Sequence, residues 1–323
     1  MKSRGSVWRR LTVVALTAVA GCAELPPLAA PPAAAPPAPP VVAAPVPAPP
    51  PAPPSAASRN LAVYYQRLQN DLLTQGLLRG DGGGADTPFT DTQLARNFVR
   101  IALFNEYRDD GDFSSPQATV SKLRRWEKPI RMSVEFSPNT PETRVAMDRA
   151  NVSAYAARLS RATGLEITQT NDDPNFHVLF LNEDDRRASA DRFRALIPGI
   201  GESTLRAIIN LPRNQLCVVI GTFTPGGASY QKAVAIIRSE HPNLMRSACV
   251  HEELAQGLGL ANDSPQARPS IFNDDEEFAL LTRHDELLLQ MLYDPRFETG
   301  MAPNEAAPIA RIIAREYLAQ GAT

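Results

Sequence analysis

Apolar and polar positions along this chain repeat with two different periods, and the switches between them mark its elements. In NLAVYYQRLQNDLLTQGLL, residues 60–78, the apolar positions 61, 64, 65, 68, 72 and 73 fall near helical spacing. GDGGGADTP then breaks the chain. TDTQLARNFVRIALFNEY, 90–107, opens on a Thr/Asp cap signal and carries a second helical stripe. RDDGDFS, 108–114, reads as a turn without calcium-loop spacing. PIRMSVEF, 129–136, reads as a strand. Residues 141–163 read as a helix, with Pro141 suited to the first turn and Gly164 as the stop. LEITQT and FHVLFLN are strands around the turn NDDPN, and EDDRRASADRFRALI, 183–197, reads as one helix. QLCVVIGTF, 215–223, and KAVAIIRS, 232–239, are apolar runs suited to buried strands. Residues 244–260 and 282–293 read as helices, and a further helix is expected at the C-terminus. The sum is an α+β fold, a mixed sheet with helices packed on it.

Composition changes the picture at the N-terminus. Lys2, Arg4, Arg9 and Arg10 precede the short apolar run LTVVALTAVA, residues 11–20. That run is too short to span a bilayer, so residues 1–21 read as a signal peptide. It ends in VAGC, 19–22, which resembles a bacterial lipobox. The resemblance implies cleavage before Cys22 and acylation of that residue, and several acyl chains anchor a protein stably. Ala23 is not the aspartate that retains such proteins at the inner membrane, which points to the outer membrane. Residues 25–58 are nearly all Pro and Ala, a composition that builds no core and favours polyproline II. At that rise the stretch reaches roughly 100 Å, a disordered, semi-rigid stalk. The expected organisation is therefore signal peptide 1–21, acylated Cys22 with a Pro/Ala linker through 58, a helical segment 59–125, and an α+β domain 126–323.

Three cysteines less Cys22 leave Cys217 and Cys249. In an oxidising compartment such a pair suggests a disulfide, the alternative being two buried free thiols. Net charge is −2, and losing residues 1–21 removes four cations and no acids, leaving −6. No basic run appears, so nucleic acid is not an expected partner.

The chemistry concentrates in VHEELAQGLGLANDSP, residues 250–265. Zinc proteases of the HExxH type place two His one helical turn apart, with the Glu beside the first as general base. From His251 the pattern fails, because Ala255 stands four residues on. From Glu252 the frame fits as E-E-x-x-Q-x-x-G-x-x-N: Glu252, Glu253, Gln256, Gly259 and Asn262. This resembles HExxHxxGxxH of metzincin-like metallopeptidases with every imidazole replaced. The resemblance implies a zincin-like domain in which Glu253 holds the general-base place. LTRHDELLLQMLYDP is similar to the closing helix of such proteases, and Thr282 with Asp285 forms a capping-box signal. The run EELxQxLGLxNDS, SIFN and YDPR resembles a bacterial family known only as a domain of unknown function, number 2927. The zincin-like order of strands, active helix, irregular loop and closing helix covers roughly 126–296.

Zinc favours thiolate, imidazole and carboxylate, so Glu252 is the one credible ligand among these places. Calcium, an oxygen-loving ion, suits Glu252, Gln256, Asn262 and Asp263 better, though carboxylates are few. The bland account of each residue is also complete. Glu252 and Glu253 complement the helix dipole, Gly259 with Asn262 and Asp263 stops the helix, and His251 packs beside Leu254 and Leu258. Helix neighbours point about 100° apart, so a glycosidase-like pairing of Glu252 with Glu253 is not expected. His177, His241, His251 and His284 show no ligand spacing. The expectation is a lipid-anchored outer-membrane protein facing the periplasm. Its degenerate zincin-like domain binds an envelope protein or peptidoglycan, with no firmly expected cofactor. The alternative is a metal-dependent hydrolase acting on protein or peptidoglycan peptides.

Overall fold

The structure is a computed structural model that describes residues 52–106, 118–273 and 275–320. The signal peptide, Cys22, the linker up to residue 51 and the turn at 108–114 lie outside the described residues. Helix α1 runs Ala56–Thr74 and α2 Asp91–Ala102. Two short strands, β1 (Phe104–Asn105) and β2 (Thr119–Val120), pair antiparallel. Then come β3 (Ile130–Phe136), α3 (Glu142–Thr163), β4 (Ile167–Gln169) and β5 (Phe176–Leu181). Helices α4 (Glu183–Ala188), α5 (Ala190–Leu196) and α6 (Glu202–Ile209) follow, then β6 (Cys217–Phe223) and β7 (Tyr230–Arg238). Helices α7 (Asn243–Gln256), α8 (Arg283–Leu292) and α9 (Pro303–Gln320) complete the chain.

Local chemistry sets the ends of these elements. Thr90 and Gln93 form a full capping box at α2, and Thr282 with Asp285 forms one at α8. Gly164 ends α3 in the left-handed conformation, its N–H on the Ser160 carbonyl. The expected single helix over 183–197 is two. Ser189 Oγ donates to the Asp185 carbonyl at 2.6 Å, and the chain turns there between α4 and α5. Helix α6 was not anticipated, because eight residues carry too little periodic pattern.

The sheet has the order β4-β3-β5-β7-β6. Strands β4, β3, β5 and β7 are parallel, and β6 closes one edge antiparallel to β7. Alternation along the central strands feeds two cores. Phe176, Val178 and Phe180 of β5 and Ala233, Ala235 and Ile237 of β7 face one way, against Cys249, Val250 and Leu254 of α7. Leu179, Val234 and Ile236 face the other way, against Phe193, Leu205 and Ile208 of α5 and α6. Both faces of the parallel centre are thus covered, which explains its continuous apolar runs.

The larger core also takes in Leu94, Phe98 and Ile101 of α2 and Ile313 of α9. The expected boundary at 125/126 therefore does not separate two compact parts: Pro50–Thr323 is one unit. Among the described residues no helix is long and apolar enough to cross a membrane.

Cys217 and Cys249 form a disulfide that ties the start of β6 to α7. Cys249 lies midway along α7. The bond closes a loop with a sequence separation of 32 residues. Loop entropy then assigns it about 3–4 kcal/mol. The variant with both cysteines replaced by Ala is expected to unfold at clearly lower urea than the oxidised protein. Equal midpoints would contradict a stabilising role for the bond.

Candidate functional site

Helix α7 leaves the carboxyl end of β7 through Pro242 and lies against the sheet. Trp126 Nε1 donates to the Gly257 carbonyl at 2.8 Å, and Tyr293 Oη donates to the Leu258 carbonyl at 2.9 Å. These two bonds satisfy carbonyls that the helix end leaves open. Gly259 has φ +124°, and a Cβ there would meet the Arg124 carbonyl oxygen at 2.2 Å. The motif glycine is therefore required both by its backbone angle and by the close passage of the segment at Arg124.

His251 is a packing residue. Its ring stacks on Tyr155 with centroids 3.8 Å apart, and Tyr155 Oη donates to the His251 carbonyl at 2.7 Å. Its Nδ1 accepts from the Leu281 N–H at 2.9 Å. Burial, with the nearby Arg158 charge, lowers its pKa to about 3, so the ring is neutral. His251 thus joins α3, α7 and the lead into α8. His284 is fully buried, with Nε2 3.0 Å from Asn97 Nδ2.

The residues in the second and third imidazole places also hold structure. Gln256 Nε2 donates to Asp263 Oδ1 at 3.3 Å. Asn262 Nδ2 donates to the carbonyls of Arg100 at 2.9 Å and Asp263 at 2.7 Å. Asn262 therefore stitches the turn after α7 to the end of α2. The SIFN segment is likewise architectural. Ser270 Oγ and the Ile271 N–H both donate to the Asp285 carboxylate, which also takes the Thr282 N–H. The Asp285 carboxyl is held below the usual range by those bonds and by His284, against the opposing effect of burial.

Glu252 and Glu253 are different. Their carboxylate oxygens and Cys217 Sγ all lie within 4.8 Å of one another. The long side chains converge although their helix positions diverge, which corrects the expectation that they point apart. Glu252 is half-buried, while Glu253 is 3% exposed and its Oε2 has no hydrogen-bond partner. Burial pushes both carboxyls well above the ordinary value, and negative charge at Glu106 and Asp263 adds to it. Both effects favour the protonated form of the pair, and a protonated carboxyl is a poor base toward water.

Zinc fits this donor set poorly. Cys217 sulfur is bonded to Cys249 and is no thiolate, His251 is committed to Tyr155 and Leu281, and Gln256 and Asn262, whose NH2 groups donate within the fold, offer zinc only neutral amide oxygens. The charged donors that remain are the carboxylates of Glu252 and Glu253, with Glu106 and Asp263 near them. A hard oxygen-loving cation such as calcium suits such a set better than zinc does.

The grouping of Cys217 with the two glutamates was not drawn from the sequence, yet a signal existed. Cys249, Glu252 and Glu253 are spaced i, i+3, i+4 and share a helix face, so whatever bonds Cys249 comes to rest beside both acids. Glu106 could not be found this way, because only the fold brings it near.

The sign of the pH effect follows from the raised carboxyl. Its stabilising share is complete below the unfolded value near 4.5 and is lost as the pH climbs toward the higher folded value. Glu253→Gln copies the protonated form. Thermal melts are expected to match wild type near pH 4 and to exceed it at pH 8. A variant less stable than wild type at pH 8 would contradict a neutral buried Glu253.

No curated protein matches the chain. Residues 91–312 match the family model described as a protein of unknown function, DUF2927. The match opens at the first residue of α2 and closes inside α9. It embraces the helices that share the large core with the sheet, and the chain belongs to this DUF2927 family.

Proposed function

We propose that this is a lipid-anchored cell-envelope protein whose zincin-like domain binds a partner and does not cleave it. The observation that carries the reading is the fate of the ligand places. Gln256 is bonded to Asp263, Asn262 to the Arg100 carbonyl, and Glu253 is a buried carboxyl whose Oε2 has no hydrogen-bond partner. The helix keeps the metallopeptidase spacing and the turn glycine while each polar group serves packing or stays neutral. The antiparallel edge strand β6, the helix α7 directly after β7, and the capped α8 beyond an irregular segment support the zincin-like likeness.

Anchoring rests on the sequence: the basic start, the short apolar run and VAGC ending at Cys22. The Pro/Ala stretch then holds the domain away from the membrane, a placement suited to reaching a periplasmic protein or peptidoglycan.

Two experiments test the proposal. Expressed in a bacterial envelope, the wild-type chain is expected in the membrane fraction and Cys22→Ser in the soluble fraction. A wild-type chain that fractionates as soluble would remove the anchor. Purified protein is expected to leave casein and peptidoglycan stem peptides intact. Hydrolysis that disappears in Glu253→Gln would replace this reading with the alternative, a metal-dependent hydrolase.

A further inference from the structure

The parallel strands β3, β5 and β7 end at Phe136, Leu181 and Arg238, and a crevice lies just beyond them. In open α/β sheets this edge, outside the carboxyl ends of the strands, is where ligands bind. The crevice has a volume of about 290 Å³. Arg59, Arg144, Asn182, Glu240, His241 and Arg246 are among its lining residues. It is separate from the Glu252–Glu253 pair.

Its walls hold polar groups that the protein itself does not satisfy. Arg246 is 4% exposed. Its Nη2 donates to the Ser239 carbonyl at 2.5 Å, and its Nη1 sits 3.4 Å from Asp148 Oδ2. Nε and Nη1 have no hydrogen-bond partner. His241 is 2% exposed and its Nε2 is also without a partner. Glu240 Oε1 accepts from Ser58 Oγ at 2.6 Å and from the Glu183 N–H at 2.7 Å, while its Oε2 accepts from nothing. Buried polar groups are nearly always paired, and each exception needs a reason. Here three neighbouring side chains are exceptions around one cavity.

The charges give the ligand its sign. Three guanidinium groups line the crevice, set against the Glu240 carboxylate in its wall and the Asp148 carboxylate paired with Arg246, which leaves one positive charge in excess. Burial, with Arg238 and Arg246 near, keeps His241 uncharged. The 22-residue helix α3 begins at the same edge, where its N-cap Pro141 lines the crevice and makes no side-chain cap. A helix N-terminus of this kind favours an anion. In the adjoining cavity Asp184 accepts from the Ser55 N–H and Asp185 from Asn182 Nδ2, so both acids are engaged.

We propose that this crevice binds a small oxyanion, a phosphate or carboxylate group that also carries a hydrogen-bond donor. The oxyanion accepts from Arg246 Nε and Nη1 and from Arg144, and the donor satisfies Glu240 Oε2. Guanidinium forks suit both anions. Pro54, Ser58 and Arg59 form one wall, so occupancy also steadies the first turn of α1 against the sheet.

The test is titration of the purified protein with inorganic phosphate, glycine and acetate at matched sodium chloride, read by calorimetry and by the His241 ring signals in NMR. Phosphate or glycine is expected to bind with Kd at or below about 1 mM and to shift the His241 signals. Acetate, which has acceptors alone, is expected to bind more weakly. Preference for phosphate assigns the site to phosphate-bearing ligands, and preference for glycine assigns it to amino-acid or peptide-like ones. Arg144→Gln, a half-buried position, is expected to weaken binding about tenfold through loss of one charge-assisted bond. Arg246→Gln is expected to abolish it, with circular dichroism reporting whether that variant folds. No binding of either phosphate or glycine, or binding unchanged in a folded Arg144→Gln, would overturn the proposal.

Discussion

Helix α7 is enclosed on nearly every side, and that enclosure dictates what its polar residues can do. Its apolar face lies on the central strands β5 and β7, its midpoint is bonded to β6 through Cys249, and its end is held by Trp126 and Tyr293. A buried polar group in such a place must find a partner or lose its charge. Gln256 and Asn262 find partners in the loop that follows and in α2. His251 finds Leu281 and Tyr155. Glu253 Oε2 finds none, and neutrality is the state its surroundings favour.

The same enclosure accounts for much of the E-E-x-x-Q-x-x-G-x-x-N spacing without reference to a metal. Gln256, Gly259 and Asn262 serve the geometry of a helix that must turn sharply under the Arg124 segment. At Gly259 the backbone angle and the 2.2 Å approach of the Arg124 carbonyl exclude any side chain, whatever the helix once bound or binds now. Asp285, the cap of α8, gathers the SIFN segment onto the same scaffold. Much of the recognisable family pattern is therefore architecture, and two groups of polar side chains with unsatisfied atoms stand apart from it in role. One is the acidic pair beside the disulfide, and the other is the basic crevice at the strand ends.

Much of the fold is legible in the sequence because its elements are locally specified. Thr90 with Gln93, Thr282 with Asp285 and Gly164 are local signals, and each stands where the pattern put it. The apolar runs at 176–182 and 232–239 are strands buried on both faces at the sheet centre, and 215–223 is the half-buried edge strand beside them. What the sequence hid depends on distance along the chain. The break at Ser189 competes with a continuous helical pattern and is decided by one side-chain bond. The joining of α2 to the main core depends on α9, some 200 residues away. Glu106 reaches the Glu252–Glu253 pair only through tertiary folding, and Arg246, His241 and Glu240 become a site only when three strand ends meet.

The central claim is that α7 preserves a metal-binding rhythm without metal-binding chemistry. Its most direct test is elemental analysis of the protein purified without chelator or a metal-carrying tag, followed by dialysis against zinc. The account predicts no stoichiometric zinc, before or after dialysis, and no change when Glu252 is replaced by Ala. About one zinc per chain, lost in Glu252→Ala, would contradict it and return Glu253 to the role of a catalytic base.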